Sequence, residues 1–215
     1  MSKTILILGA AGEIARMLTA NLLEKSDWNL VLYGRNLSSR LNLPKTERIR
    51  IVEGNFEEEE KMTKSMVGSD FVYLNAMENR DHIKHIIASM NQAGVQRLIA
   101  ASMAGIENEV PDPLASWTKA NLPQSYIQGE IDSANEVKAS NLDYTLLRLT
   151  WLYNNPDRLD YELVPSGQPF TAAEVSRQAV VAAILEVLNR EDNYFIRTSY
   201  GVGQPDSNYG KPSFY

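Results

Sequence analysis

A short apolar run that ends in a glycine-rich turn is the feature that most constrains the fold of this chain. Thr4–Leu8 has no polar alternation, which is typical of a parallel strand buried on both faces. The turn that follows, residues 9–15, has the sequence G-A-A-G-E-I-A, and beyond it apolar residues recur at helical spacing as far as Leu23. A strand that passes through glycines into a helix predicts the first βα unit of a parallel sheet.

Strand-like and helix-like segments continue to alternate along the chain. Short apolar runs predict further strands at residues 29–33, 48–52, 70–74, 97–101, 144–149 and 194–197. Helical spacing and capping signals predict helices from residue 57 onwards, at 82–93, within 113–140 and at 172–188. Such alternation indicates one sheet covered by helices on both faces. We therefore predict a single α/β domain over residues 1–215, with a Rossmann-type doubly wound parallel sheet in three layers (α/β/α).

Two C-terminal segments fit this pattern less well. We expect residues 150–172 to form elements that cover the substrate. The tail, residues 201–215, is rich in Gly, Pro, Ser and Tyr and is predicted to be irregular.

Composition narrows the class of protein. The 215 residues are 44% hydrophobic and 22% charged, which is ordinary for a globular protein. A formal net charge of −6 offers no basic surface for nucleic acid, and the absence of cysteine together with a count of two histidines argues against a protein metal site. The segment before the first strand is too short for a signal peptide. We expect a cytoplasmic monomer or homodimer that acts on a small molecule, with no nucleic-acid or membrane partner.

The glycine turn has the chemistry of a pyrophosphate site. Gly9 permits the tight turn, and Gly12 lets the backbone approach an anion without a side chain in the way. The helix start then offers unpaired N–H groups and a partial positive charge. We predict that Gly9, Ala11, Gly12, Glu13 and Ile14 contact a dinucleotide. The alternative is a turn that needs glycine only for its geometry, and the position directly after the first strand favours the dinucleotide.

The end of the second predicted strand indicates which dinucleotide binds. NAD-binding sheets commonly place an acid there to hold the ribose 2′-hydroxyl. This chain has Arg35, Ser39 and Arg40 instead, and guanidinium groups match a phosphate with two hydrogen bonds. The loop predicts NADP(H), with NAD(H) and two solvated arginines as the alternatives.

A series of motifs resembles the short-chain dehydrogenase/reductase superfamily, in particular its compact atypical members, the NmrA-like proteins and the biliverdin-IXβ/flavin reductase group. The motifs span nearly the whole chain, at residues 9–15, 34–36, 54–56, 75–76, 101–106 and 140–148. The resemblance implies a Rossmann-fold NAD(P)-dependent oxidoreductase.

The resemblance also implies roles for residues that follow later strands. These residues would border the adenine, the ribose and the nicotinamide of the cofactor: Asn55, Phe56, Asn75, Ala76, Met77, Thr150 and Trp151. Ser102 matches the serine after the fifth strand, next to the reacting carbon, and would contact both the cofactor and the substrate. Leu149 replaces the proline that the superfamily usually has at the end of the sixth strand.

The catalytic pair departs from the superfamily pattern. Typical members have Tyr-x-x-x-Lys, in which the ammonium group favours the phenolate and holds the ribose. Here Tyr126 and Glu130 occupy those two positions, so the lysine is lost. A carboxylate can accept hydrogen bonds from ribose hydroxyls, but its charge disfavours a phenolate beside it. Tyr126 and Ser102 are the predicted catalytic residues, and Glu130 a predicted cofactor contact.

Three functions are compatible with these residues. The first is an NADPH-dependent reductase of a small planar or carbonyl-containing acceptor, such as a flavin, a quinone or an aldehyde. The second is an NADP(H)-binding redox sensor of the NmrA type without turnover, for which the lost lysine argues. The third is a sugar-nucleotide-type epimerase, and the lack of a long C-terminal substrate domain counts against it.

Aromatic and histidine side chains give weaker signals. Trp117, Trp151 and Tyr153 fall after the fifth and sixth strands, where they could form one wall of a planar-ligand pocket or simply pack in the core. His82 and His85 lack a third ligand at suitable spacing, so we interpret them as helix-surface residues.

Overall fold

The structure is a computed structural model that describes residues 2–77 and 79–215. Its strands are β1 (Thr4–Leu8), β2 (Asn29–Gly34), β3 (Ile49–Glu53), β4 (Phe71–Leu74), β5 (Arg97–Met103), β6 (Asp143–Leu149), β7 (Trp151–Tyr153), β8 (Glu162–Pro165), β9 (Glu174–Ser176) and β10 (Thr198–Gly203). Its α-helices are α1 (Glu13–Lys25), α2 (Leu37–Arg40), α3 (Glu59–Met66), α4 (Arg80–Ala93), α5 (Leu114–Asn121), α6 (Gln124–Ala139) and α7 (Arg177–Asn189).

The centre of the molecule is an eight-stranded sheet with the order β3-β2-β1-β4-β5-β6-β10-β8. Neighbouring strands from β3 to β10 pair in parallel, and β8 pairs antiparallel with β10 at the edge. The strand order reverses between β1 and β4, so a crevice opens there at the carboxyl ends of the strands, where doubly wound sheets bind their ligands. The predicted Rossmann-type fold is confirmed.

Alternate residues of β1 point to the two faces of the sheet and explain its unbroken apolar sequence. Ile5 and Ile7 join the cluster under α1 and α7, whereas Leu6 and Leu8 join the cluster under α3, α4 and α6. All four side chains are fully buried, and burial of each contributes about 1.5–3 kcal/mol. Among the helices in residues 2–77 and 79–215, none is both long and apolar enough to cross a lipid bilayer.

The start of the last helix differs from the prediction. Helix α7 begins at Arg177, not at residue 172, because Glu174–Ser176 forms β9 and pairs in parallel with β7. The Ser176 hydroxyl accepts a hydrogen bond from the Ala179 N–H at 2.9 Å and so caps the helix. The first strands and helices agree with their predicted positions to within a few residues.

The predicted strand at residues 194–197 is wrong. Asn193–Phe195 is a short 3₁₀ turn that is capped by the Asp192 carboxylate, and the strand follows as β10. The tail is therefore regular as far as Gly203. Gly201 and Gly203 belong to the sheet because their backbones pair with β8. Both positions favour glycine because side chains lie close to the backbone: a Cβ at Gly201 would lie 2.7 Å from the Phe170 ring. These glycines leave space for the Phe170 side chain beside β10 and do not mark an irregular segment.

A buried ion network ties the loop after β5 to β6. Arg148 is fully buried, and its Nη1 lies 2.5 Å from Glu109 Oε1 and 3.3 Å from Glu107 Oε2. Glu109 also accepts hydrogen bonds at 2.9 Å from the backbone N–H groups of Gly105 and Glu107. The network fixes the loop that leaves the carboxyl end of β5.

Glu107 extends the same network to α6 and β10. Its carboxylate accepts hydrogen bonds from Lys138 at 2.5 Å and from the Ser166 and Ser199 hydroxyls at 2.6 and 2.7 Å. Burial raises the pKa of Glu107, but these hydrogen bonds and the charge of Arg148 outweigh it and hold the pKa below its ordinary value. Glu107 is therefore a structural carboxylate.

Candidate active site

A cavity of about 740 Å³ lies at the carboxyl ends of the strands, beside the crevice between β1 and β4. It is lined by many of the residues predicted from the sequence, namely Glu13, Ile14, Asn75, Ala76, Ser102, Tyr126, Glu130, Thr150 and Trp151. Leu152 is a further lining residue from the predicted covering segment 150–172, and α5 supplies another part of the wall. A cavity of this size and position suits an organic ligand.

The glycine turn lies beside this cavity, and its first residue has a left-handed backbone conformation that glycine adopts readily. Gly9 has φ +76°, and the N–H groups of Gly9 and Ala10 both donate to the Tyr33 carbonyl, at 3.0 and 3.2 Å. No side chain caps α1 at Gly12, and the N–H groups of Glu13 and Ile14 have no acceptor within residues 2–77 and 79–215. Helix α1 therefore presents free donors, which is the arrangement that binds anions.

The side chain of Asn75 also favours glycine at position 12. The Asn75 Oδ1 accepts a hydrogen bond from the Ala15 N–H at 3.1 Å, and a Cβ added at Gly12 would lie 2.2 Å from Asn75 Nδ2. The side chain of Asn75 thus connects the end of β4 to the first turn of α1. Gly12 is required by this contact as well as by any anion that approaches the backbone.

The loop after β2 exposes its two arginines. Arg35 and Arg40 make no ion pair with a carboxylate of the described residues, and Ser39 Oγ donates to the Asn36 carbonyl at 3.0 Å. The Ser38 N–H donates to Glu53 Oε1 at 2.9 Å, and that hydrogen bond lowers the pKa of the Glu53 carboxyl. Glu53 holds the loop from β3, while both guanidinium groups stay available for a phosphate.

Asn55 and Phe56 lie outside the cavity lining, next to Tyr33. The Tyr33 hydroxyl donates to the Asn55 carbonyl at 2.7 Å, and the rings of Tyr33 and Phe56 stack 6.4 Å apart. Burial, and to a smaller degree the charge of Glu58, raises the pKa of Tyr33 to about 12. His82 makes a T-shaped contact with Phe56 and is half-buried on α4, which agrees with the predicted helix-surface position.

Met77 does not reach the cavity with its side chain. It is buried in the core cluster under α3 and α4. Any contact of Met77 with a ligand at the end of β4 would come from its backbone.

Ser102, Tyr126 and Glu130 come together on the cavity wall. Glu130 is 2% exposed and Ser102 is 6% exposed, and Ser102 Oγ donates to Glu130 Oε2 at 3.3 Å. Tyr126 stands one turn before Glu130 on α6 and is 38% exposed. The serine hydroxyl of β5 and the carboxylate that stands in the lysine position therefore form one polar unit at the cavity.

Comparison with known proteins identifies the family. A family model described as NAD(P)H-binding matches residues 9–191. The chain belongs to the NAD(P)H-binding family. No curated protein matches the sequence. The predicted resemblance to short-chain dehydrogenases/reductases and the predicted nicotinamide cofactor class are both confirmed.

Solved structures of this family superpose closely on the chain. A short-chain dehydrogenase/reductase from Veillonella parvula DSM 2008, described in complex with NADP, is 46% identical with a TM-score of 0.97, and both chains are covered over 100% of their length. An ethylated short-chain dehydrogenase/reductase from the same organism is 45% identical with a TM-score of 0.97, again over 100% of both chains. A Rossmann-fold NAD(P)-binding family protein from Shigella flexneri is 29% identical, with a TM-score of 0.78 over 100% of both chains.

Arg177 is a cavity residue of this NAD(P)H-binding protein that sequence reasoning missed. Its Nε lies 2.9 Å from Glu13 Oε2, and its Nη1 donates to Asn154 Oδ1 at 3.3 Å. The ion pair places a cation at the start of α1. No sequence pattern marks Arg177, because it falls within the predicted helix 172–188, whereas in the structure it is the first residue of α7.

Tyr215 is another cavity residue that the sequence did not indicate. Its ring lies 5.2 Å from that of Trp117 and 5.4 Å from that of Trp151. The two tryptophan rings lie 4.7 Å from each other. Of the three aromatic residues predicted for the wall, Trp151 lines the cavity, and Trp117 packs on it without being a lining residue. Tyr153 packs instead against Phe214, at 5.7 Å. Within residues 2–77 and 79–215, no three His, Asp or Glu side chains lie close enough together to hold a metal ion.

Proposed function

We propose that this protein is an NADPH-dependent reductase of a small planar or carbonyl-containing acceptor, such as a flavin, a quinone or an aldehyde. The observation that supports it is the cavity that joins the free N–H groups at the start of α1 to the Ser102–Glu130 pair. A cofactor held at one end would then bring its reactive ring to the polar unit at the other. The NADP complex of the 46% identical Veillonella parvula protein supports the choice of cofactor.

The residues present fit NADP(H). The free N–H groups of Glu13 and Ile14, beside Gly9, Ala11 and Gly12, suit the pyrophosphate. Arg35, Ser39 and Arg40 suit the 2′-phosphate, because neither guanidinium is paired with a described carboxylate. The remaining proposed contacts border the adenine, the ribose and the nicotinamide: Asn55, Phe56, Asn75, Ala76, Met77, Ser102, Glu130, Thr150 and Trp151.

Hydride donation is the chemistry that a bound nicotinamide supplies, and the protein contributes orientation and hydrogen bonds. Ser102 stands at the carboxyl end of β5 and can turn its hydroxyl from Glu130 towards an acceptor oxygen or nitrogen. Tyr126 is more exposed and can donate a second hydrogen bond from α6. Because the lysine ammonium is replaced by Glu130, we propose Tyr126 as a hydrogen-bond donor that orients the acceptor and not as an activated acid.

Glu130 would have a separate role towards the cofactor. A buried carboxylate needs hydrogen-bond donors, and Ser102 supplies one of them. Ribose hydroxyls would supply others when the cofactor binds. Glu130 would thus hold the ribose through acceptor oxygens, where the superfamily lysine holds it through N–H donors.

The experiment that tests the proposal combines binding with turnover. Purified protein is titrated calorimetrically with NADPH and with NADH, and NADPH oxidation is then followed with a flavin, a quinone and an aldehyde in turn. We expect NADPH to bind more tightly than NADH and at least one acceptor to be reduced. If neither dinucleotide binds, the proposal is wrong.

A second candidate function is the NADP(H)-binding redox sensor, which Glu130 in the lysine position favours. The same experiment separates the two functions. Tight NADPH binding without reduction of any acceptor class would support the sensor.

A further inference from the structure

The C-terminal tail contributes an aromatic ring to the cavity. Tyr215 and Trp151 both line it, and Trp117 contacts both of these rings. Although Tyr215 touches two tryptophans, it remains 62% exposed. The ring is therefore held at the cavity without being buried in a core.

The three rings meet at angles far from parallel. The interplanar angle is 71° between Trp117 and Trp151, 56° between Trp117 and Tyr215, and 77° between Trp151 and Tyr215. In each pair the rings meet edge to face or tilted, so none of the three pairs is a parallel stack. The Trp151 indole is fixed further, because its Nε1 donates to Thr118 Oγ1 at 3.1 Å.

A buried carboxylate holds the tail in this place. Glu174 of β9 is 5% exposed, and it accepts hydrogen bonds from the Ser213 N–H at 2.6 Å and from Ser213 Oγ at 3.0 Å. Backbone packing adds a second contact, since a Cβ at Gly210 would lie 2.8 Å from Pro113 Cγ. The tail thus has a defined path to the cavity, which is the condition for a residue that contributes to specificity.

We propose that Tyr215 and Trp151 form the stacking wall of the acceptor site and select a planar conjugated acceptor over a non-planar carbonyl compound. This inference rests on the proposed reductase function and narrows its acceptor class. Stacking of an aromatic ring on a planar π system contributes about 0.5–1.5 kcal/mol to binding beyond the contribution of the buried area. A saturated carbonyl compound has no conjugated π face and gains no stacking energy. Tyr215 acts here as a specificity residue that contacts the acceptor and takes no part in the chemistry.

The test uses riboflavin as a planar probe and the full chain saturated with NADP⁺. Calorimetry measures the riboflavin Kd of the wild type and of the Tyr215→Phe, Tyr215→Leu and Tyr209→Leu variants. Tyr215→Phe keeps the ring, and Tyr215→Leu keeps apolar bulk without it. Tyr209 is an exposed tyrosine of the same tail with no ring contact to the aromatic side chains of the described chain, so Tyr209→Leu is the matched control.

We expect Tyr215→Leu to raise the riboflavin Kd about threefold to tenfold, as loss of one stacking contact implies. Tyr215→Phe and Tyr209→Leu should each stay within about twofold of the wild type by the same reasoning. An unchanged Kd for Tyr215→Leu, or a wild type that binds NADP⁺ but not riboflavin, would overturn the inference. The NADP⁺ affinity is measured separately in every variant: failure of the wild type to bind NADP⁺ would refute the reductase proposal itself.

Discussion

The two halves of this molecule build their ends of the cavity in different ways. From β1 to β5 each functional segment follows its own strand directly, as the glycine turn follows β1 and Ser102 ends β5. From β6 onwards the site depends on contacts between residues far apart in sequence, such as Glu107 with Ser199 and Glu174 with Ser213. We refer to the part from β1 to β5 as the cofactor half and to the part from β6 onwards as the acceptor half, after their proposed roles. Local sequence patterns indicate more of the cofactor half than of the acceptor half, which depends more on tertiary packing.

The largest expected effect is a loss of stability from a substitution in the buried ion network of the acceptor half. Arg148→Met leaves Glu109 and Glu107 buried without their guanidinium partner, so the free energy of unfolding should fall by about 3–5 kcal/mol. Chemical denaturation measures the change. Arg80→Met removes an exposed ion pair with Glu136 and should leave stability nearly unchanged. Equal losses in the two variants would contradict the structural role of the network.

The next effect is confined to the cofactor half. Arg35→Ala should raise the Kd of NADPH about tenfold or more, because a hydrogen bond to a charged group contributes about 1.5–3 kcal/mol. The Kd of NADH should hardly change. Calorimetric titration with each dinucleotide measures the difference. Lys45→Ala removes an exposed cation from the loop that follows α2 and serves as the control. Equal losses for NADPH and NADH would show that Arg35 does not bind the 2′-phosphate.

A smaller effect is expected where the two halves meet. Glu130→Gln keeps an acceptor for the Ser102 hydroxyl but removes the charge, so ribose hydroxyls should bind less strongly and the NADPH Kd should rise about threefold to tenfold. Glu136→Gln changes a carboxylate of the same helix that pairs with Arg80 of α4 and does not line the cavity, so it should leave the Kd unchanged. An NADPH Kd that is insensitive to Glu130→Gln would exclude the proposed ribose contact.

The smallest effect is a pH dependence of stability in the acceptor half. The pKa of Glu107 is lower in the folded protein than its ordinary value, so its contribution to stability is complete above that ordinary value. The contribution should disappear as the pH falls through the lowered pKa of the folded state. Thermal unfolding between neutral and acidic pH measures this loss, and Glu107→Gln should flatten the acid side of the profile. A parallel profile for the variant would assign the acid sensitivity to other carboxylates.

The sequence predicted most of the fold and many of the residues that line the cavity. Apolar runs such as β1 are buried on both faces, and the glycines at positions 9 and 12 lie where a strand meets a helix, so local patterns were sufficient there. Phe56 and Met77 show the limit of such reasoning, because the same patterns place their backbones near the crevice but not their side chains. Phe56 packs on Tyr33, and the Met77 side chain enters the core.

The errors concentrate where long-range packing decides the structure. Gly201 and Gly203 resemble loop glycines in sequence, yet they pair with β8 as part of β10, and the side chains of Phe170 and Ala172 occupy the space beside them. Residues 174–176 look helical until their pairing with β7 is known. The cavity contacts of Arg177 and Tyr215 depend on these same arrangements, so no local pattern could have indicated them.

The anchoring of the tail by Glu174 has a consequence for how such a protein can diversify. Residues 210–215 lie outside the sheet and are fastened to Glu174 of β9 through Ser213, so a substitution at Tyr215 exchanges a cavity surface without disturbing a strand. Under the proposed assignment, the choice of acceptor can drift during evolution while the dinucleotide half is inherited intact. Under the same assignment, a short segment outside the sheet would let one dinucleotide-binding scaffold accept different acceptors.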